Sequence, residues 1–117
     1  MSEEISITSP HKDFESIKKI DANGVEYWTA RELMLLLGYS EWRNFNIVIN
    51  KAKKSCMSTS QGLEDHFVDT NKMVDIGSRT VREVGDIKLS RYACYLIAQN
   101  GDPGKKEIKL LKKISKK

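Results

Sequence analysis

Between residues 43 and 54 the chain carries Arg43, Asn44, Asn46, Asn50, Lys51, Lys53 and Lys54, and no carboxylate follows Glu41 before residue 63. Arginine, asparagine and lysine are the side chains that bond guanine and adenine edges and phosphate oxygens. A merely solvated helix usually mixes glutamate with lysine. The chemistry that these residues can do together is nucleic-acid recognition. Arg43, Asn44, Asn46 and Asn50 are expected nearest the bases, with Lys51, Lys53 and Lys54 on phosphates. Arg79 and Arg82 form a second basic group able to neutralise phosphates, and the lysine-rich end of the chain a third. The plain alternative is a solvated polar face on an ordinary small domain.

Catalytic groupings are weaker. No Ser/His/Asp or Cys/His constellation offers itself, and no glycine-rich phosphate loop is present. Asp65, His66 and Asp69 lie close in sequence, but with 31% charged residues such groupings arise by chance. His66 is expected to be a hydrogen-bonded structural residue. With His11 far away in the N-terminus and only two cysteines, the ligand count of a metal site cannot be met. The expectation is a protein that is no enzyme and holds no metal or cofactor.

The elements that must position the basic residues begin at Thr29. Thr29 and Glu32 have the spacing of a capping box. Ala30, Leu33 and Leu37 then recur at helical spacing, and Gly38 ends the helix. Ser40 is expected to cap a second helix, in which Trp42, Phe45, Ile49, Ala52 and Cys56 make an apolar stripe opposite the Arg/Asn/Lys face. A short helix, a glycine turn and a polar-faced second helix are the outline of a helix-turn-helix.

Around this pair, Asn23-Gly24 between residues 17–21 and 25–28 predicts a hairpin. Residues 13–19 form a short helix or an extended lead-in. Residues 58–62 are a loop by composition, and 63–67 start a helical turn. Residues 68–76 and 80–89 read as strands joined at Gly77-Ser78, with Gly85 a bulge or second turn. Arg79, Arg82, Lys88 and Arg91 on or near this hairpin give it the layout of a wing, although a solvated sheet face explains them equally well. Ser90 caps a helix, apolar nearly all round, that stops at the Asn100–Gly104 turn. In the tail, Ile108, Leu111 and Ile114 fall three apart among lysines, as in a basic amphipathic helix or an arm that can become one.

Length fits one domain of 117 residues with a modest core. The divisions expected are a disordered 1–12, a domain over 13–104 and a basic tail over 105–117. The net charge of +4 is uneven: residues 105–117 hold seven lysines and one glutamate, and the remainder is −2. The body is therefore not basic overall, and only a local face can meet a phosphate backbone. The polar N-terminus is no secretory signal, no run is long enough to span a bilayer, and Cys56 and Cys94 read as buried reduced thiols. A cytoplasmic protein with no membrane partner is expected.

The stretches EYWTARELMLLLGYSEWRNF, INKAKKSC, EDHF, KMVDIGS and DIKLSRYACYLIAQNGDP, covering about residues 13 to 104, resemble the DNA-damage-inducible protein D family. Its BRO-N type domain also occurs in phage antirepressors and viral BRO proteins. The resemblance implies an α+β domain of helices and two β-hairpins, regarded as DNA-binding and acting in bacterial SOS or prophage regulation, without enzyme activity or cofactor. DNA is the partner implied, and a regulatory or recombination protein grasped without DNA contact is the alternative. Helix-turn-helix proteins often pair, so a homodimer is a further arrangement open to this chain. Family members usually continue past the NGDP segment into a longer helix and a second domain, where this chain turns to lysines.

Overall fold

The computed structural model describes residues 14–58 and 62–115. The expected disorder of residues 1–12 and most of the loop at 58–62 lie outside the described residues. In order, the elements are β1 (Lys19–Ile20), β2 (Glu26–Thr29), α1 (Ala30–Leu36), α2 (Trp42–Ser58), α3 (Leu63–His66), β3 (Phe67–Gly77), β4 (Thr80–Leu89), α4 (Arg91–Asn100) and α5 (Lys106–Ser115).

Both expected hairpins form. In the first, Gly24 takes φ +82°, which glycine adopts without a Cβ penalty. The Asp21 carboxylate accepts from Asn23 N and Val25 N across the turn. In the second, Ser78 and Arg79 both have positive φ (51° and 63°), the condition for a two-residue type I′ turn. The hairpins join through β2 and β4, where Trp28 pairs with Leu89, to give one antiparallel sheet of order β1-β2-β4-β3. Gly85 is neither a turn nor a bulge, contrary to expectation. It sits in an unbroken strand opposite Asn71, and the irregularity falls at Asp75/Gly77, beside the turn.

Alternation decides which face of the sheet is covered. Trp28, Phe67, Ile87 and Leu89 point inward and are buried. Phe14, in a short helical stretch at 14–16, stacks on Trp28 at 4.3 Å and accepts the indole N–H at its carbonyl oxygen (2.8 Å). On the covered side α4 lies centrally, with Ala93, Cys94, Leu96, Ile97 and Ala98 buried. Ser90 caps it through Ala93 N and also pairs with His66 Nδ1 at 2.6 Å, so His66 is tied into the fold.

α2 packs chiefly on α4 rather than on α1. Its buried residues are Phe45, Val48, Ile49, Ala52 and Cys56, the expected stripe with Trp42 half-buried at its edge. The lysine-rich segment is helical and its Ile108 and Leu111 are fully buried, so the core continues beyond residue 104. The side chain of Ile114 lies outside the described residues.

Two caps differ from expectation. Thr29 makes no cap hydrogen bond to the backbone; its hydroxyl donates to Glu32 Oε1 instead. The free N–H of Arg31 is met from β4, by the buried Asp86 carboxylate at 3.1 Å. Ser40 lies one residue too early, because the first bond of α2 runs from Phe45 N to Glu41 O. Gly38 ends α1 as expected, with φ +84° and the bonds Gly38 N to Leu35 O and Tyr39 N to Met34 O that define a Schellman motif.

Candidate nucleic-acid interface

With Phe45, Ile49 and Ala52 turned to the core, helical geometry at 100° per residue sends the rest of α2 outward. Arg43, Asn44, Asn50, Lys51 and Lys54 are exposed, while Asn46 and Lys53 are half-buried. No acidic residue occurs anywhere in α2. Two consequences follow from position around the helix. Arg43, Asn50 and Lys54 share a crest with Ile47, whose side chain is 53% exposed. Asn46 and Lys53 lie on the flank facing the β3–β4 hairpin, and Asn44 and Lys51 lie on the opposite flank. No single straight approach meets all seven.

The flank facing the hairpin is one wall of a groove of about 360 Å³. Trp42, Asn46, Asn50 and Lys53 line it from α2, and Asp69, Asn71, Gly85 and Ile87 from the strands. Arg31 fixes this junction: its guanidinium lies 4.3 Å from the centre of the Trp42 ring, and its Nε donates to Gly85 O at 2.7 Å. Asp69 on the far wall favours a ligand's hydrogen-bond donors over its phosphates there. Asn44 is engaged too, donating to Glu41 Oε1 at 3.3 Å.

Beyond the groove β3 and β4 run on as a two-stranded arm. From Asn71 to Gly77 it extends about 20 Å at strand rise. Its outer part is open on both faces: Met73, Ile76 and Val81 are 58–59% exposed. Arg79 is exposed in the turn at its end, and Arg82 is exposed midway along it, opposite Val74. Arg79 thus stands about 20 Å beyond the groove and Arg82 about 10 Å.

Arg91 does not belong to this surface. It donates to both oxygens of Glu15 (2.6 and 3.1 Å) and of Glu26 (2.9 and 3.0 Å), and it lies 5.0 Å from the Trp28 ring centre. These bonds push its guanidinium pKa up and hold the Glu26 carboxyl below the ordinary carboxylate value, against the opposing effect of burial. Its charge is spent inside the fold. Lys88 is likewise turned to the Tyr27 ring, at 4.9 Å.

Cys56 and Cys94 are buried, and burial pushes both thiols upward in pKa. Among the described residues no group of three or more His, Cys, Asp and Glu is placed to hold a metal ion. None of the helices among them is long and apolar enough to cross a membrane.

The exposed face of the sheet also gathers Lys19, Tyr27, Lys72 and Lys88 around a second cavity. Lys72 was missed as a candidate. Strand alternation alone would have put it on one face with Thr70, Arg82 and Lys88, but nothing local ties Lys19 to that face.

Comparison with known proteins adds an independent line. The family described as "BRO family, N-terminal domain" matches residues 16–111. The chain is 54% identical over 95 residues to a protein of Escherichia coli (strain K12) named DNA damage-inducible protein D. The match covers 81% of this chain and 35% of that relative, so the chain spans about a third of its length. No solved structure matches the chain.

Proposed function

We propose, for a chain that belongs to the BRO family through its N-terminal domain, the role of a DNA-binding regulatory domain acting in the cytoplasm of a bacterium, in the SOS response or in prophage control. The observation that carries this reading is α2: four cations and three amides on its solvent side, no carboxylate, and a groove between it and the arm. The α2 crest would enter a groove of the duplex, with Arg43, Asn46 and Asn50 at base edges. Lys51, Lys53 and Lys54 would meet phosphates beside it, and Arg82 and Arg79 would meet them about 10 and 20 Å further along the arm. The name of the E. coli relative supports a place in the response to DNA damage. No catalytic step and no cofactor is part of the proposal.

A gel shift on duplex DNA with the Arg43→Ala, Asn46→Ala and Asn50→Ala proteins tests it. Loss of a base contact changes sequence preference by about 1–3 kcal/mol, whereas loss of a phosphate contact weakens all sequences alike. Unchanged binding by all three would remove α2 as the reader.

The arm favours a second reading, a module that grips another regulatory or recombination protein without touching DNA. Met73 and Val81 lie exposed on one face of the ribbon and Asp75 and Glu83 alternate with them in register. Apolar side chains rimmed by charge suit a protein partner better than a phosphate backbone. Absence of any DNA shift at low salt would favour this reading over the first.

A further inference from the structure

Period-two alternation sorts the side chains of the arm into two faces. Asp69 and Asn71 on β3 and Gly85 on β4 line the groove beside α2. Further out on the same face, Met73 pairs with Glu83 and Asp75 with Val81. This face therefore carries Asp69, Asp75 and Glu83 and no cation. Lys72 and Arg82 fall on the other face, and Arg79 in the turn. Met73 and Val81 are each 59% exposed, so the apolar centre of the acidic face stays open.

The crest of α2 is its converse. Arg43, Asn50 and Lys54 stand there with the half-exposed Ile47, and residues 42–58 hold no carboxylate. Glu41, just before the helix, is bonded to Asn44. Among the described residues none of Arg43, Lys54, Asp69, Asp75 and Glu83 lies within ion-pair distance of an opposite charge. The two surfaces also agree in length: Arg43 to Lys54 is about 16 Å at helical rise, and Asp69 to Asp75 about 20 Å at strand rise. Each is an apolar centre between charges, and the charges are opposite in sign. Within one chain the two stay apart, as the exposure of Ile47, Met73 and Val81 shows.

We infer that a second copy of this chain is the partner: the acidic arm face of each copy docks on the α2 crest of the other. Met73 and Val81 meet Ile47, with Asp75 and Glu83 beside Arg43 and Lys54. Every copy brings one arm and one crest, so two copies satisfy both contacts about a two-fold axis and leave neither open for a third. The opposite charges set orientation, and the apolar side chains supply the water-excluding centre. The same arm face serves the reading in which a different protein is gripped, but this chain itself carries the surface that answers it. The dimer covers Arg43, Asn50 and Lys54, so on the DNA reading self-association and duplex binding exclude one another. The docking itself does not depend on that reading.

Sedimentation equilibrium of the whole chain at low salt, without DNA, is the test. A monomer–dimer equilibrium is expected, weakened by added salt. Two charge-reversed chains probe the two faces, Asp75→Lys/Glu83→Lys on the arm and Arg43→Glu/Lys54→Glu on α2, all at exposed positions. Each should weaken self-association at least tenfold. Mixed in equal amounts they should pair with the affinity of the wild type, because each reversed face then meets its opposite. Asp75 also accepts from Gly77 N at the turn, so Glu83→Lys alone is a second arm variant and should weaken pairing in the same direction. Four results overturn the inference. One is a wild type that stays monomeric at every concentration, which leaves the arm to a different protein. Another is growth into species larger than a dimer. A third is loss of pairing in the arm variants with the α2 variant unmoved, which points to the edge of β3 instead. The last is a mixture that fails to recover pairing. DNA is absent from this assay, so a failed gel shift leaves the inference standing and a monomeric wild type leaves the DNA reading standing.

Discussion

The arm gives the sharpest quantitative test of the DNA reading, because its two arginines stand apart from everything else that could carry the signal. Five cations are proposed at phosphates: Lys51, Lys53 and Lys54 on α2, and Arg79 and Arg82 on the arm. Each phosphate neutralised contributes about 0.9 to the slope of log K against log salt. All five together predict a slope of about −4.5 and a loss of affinity of about 500-fold between 50 and 200 mM salt. Replacing Arg79 and Arg82 by glutamine removes about 1.8 of that slope. Over the same salt range the wild type should then lose on the order of tenfold more affinity than the variant does. Fluorescence anisotropy of a labelled duplex at four salt concentrations measures both slopes. The lysine tail is the rival source, and it cannot simply be clipped, because Ile108 and Leu111 are core residues. Lys106→Gln/Lys109→Gln, on the exposed side of α5, is the proper control. A slope unchanged by the arm variant but lowered by about 1.8 in the tail variant would refute the arm's role.

Asp86→Ala strips α1 of its cap and should lower stability by about 1–3 kcal/mol in a thermal or urea melt, with Asp86→Asn milder. Arg91→Gln should cost less, about 1–2 kcal/mol, since its ion pairs are one-third exposed. Its pH signature is more specific. Glu26 is held below the ordinary value of 4.5, so its contribution is complete above that value and fades as pH falls through the lower folded one; the variant's acid melt should be flatter there. Ile108→Ala should cost about 2–5 kcal/mol if α5 belongs to the core, and a change under about 0.5 kcal/mol would show that it does not. Met73→Thr/Val81→Thr should leave the melting midpoint nearly unmoved while altering whatever the arm touches, read by the duplex shift in parallel with a partner capture.

What the sequence made legible was what neighbouring residues decide together. Asn23-Gly24, Gly38, the Ser90 cap and the apolar stripe of α2 are all local signals, and each produced the element expected of it. The failures share a different cause. Asp86 caps α1 from 55 residues away, and Arg91 bonds Glu15 from 76 residues away. No window of sequence shows such partners, so Thr29–Glu32 looked like a sufficient cap and Arg91 like a free cation on a wing. The tail was legible as an amphipathic helix, but its docking was not: a helix needs only one apolar edge to join a core, and Ile108 and Leu111 provide it against α4. Gly101 makes that approach possible: a Cβ there would stand 2.6 Å from Ile108 Cδ1.

The candidate site was legible on the helix and obscure on the sheet, and the asymmetry is physical. One helix displays its whole outer face within five turns of contiguous sequence. A sheet face collects residues from strands that are far apart in the chain, here Lys19 and Tyr27 with Lys72 and Lys88. The same difference bears on function. The core of this small domain is drawn up at the α4 side, under the roots of the strands, and leaves the outer arm uncovered. A two-stranded ribbon is marginal in water by itself. Folding alone would favour threonine and lysine on such an edge over Met73, Ile76 and Val81. On the proposed reading, the exposed Met73, Ile76 and Val81 of the arm are there for a partner and not for the fold.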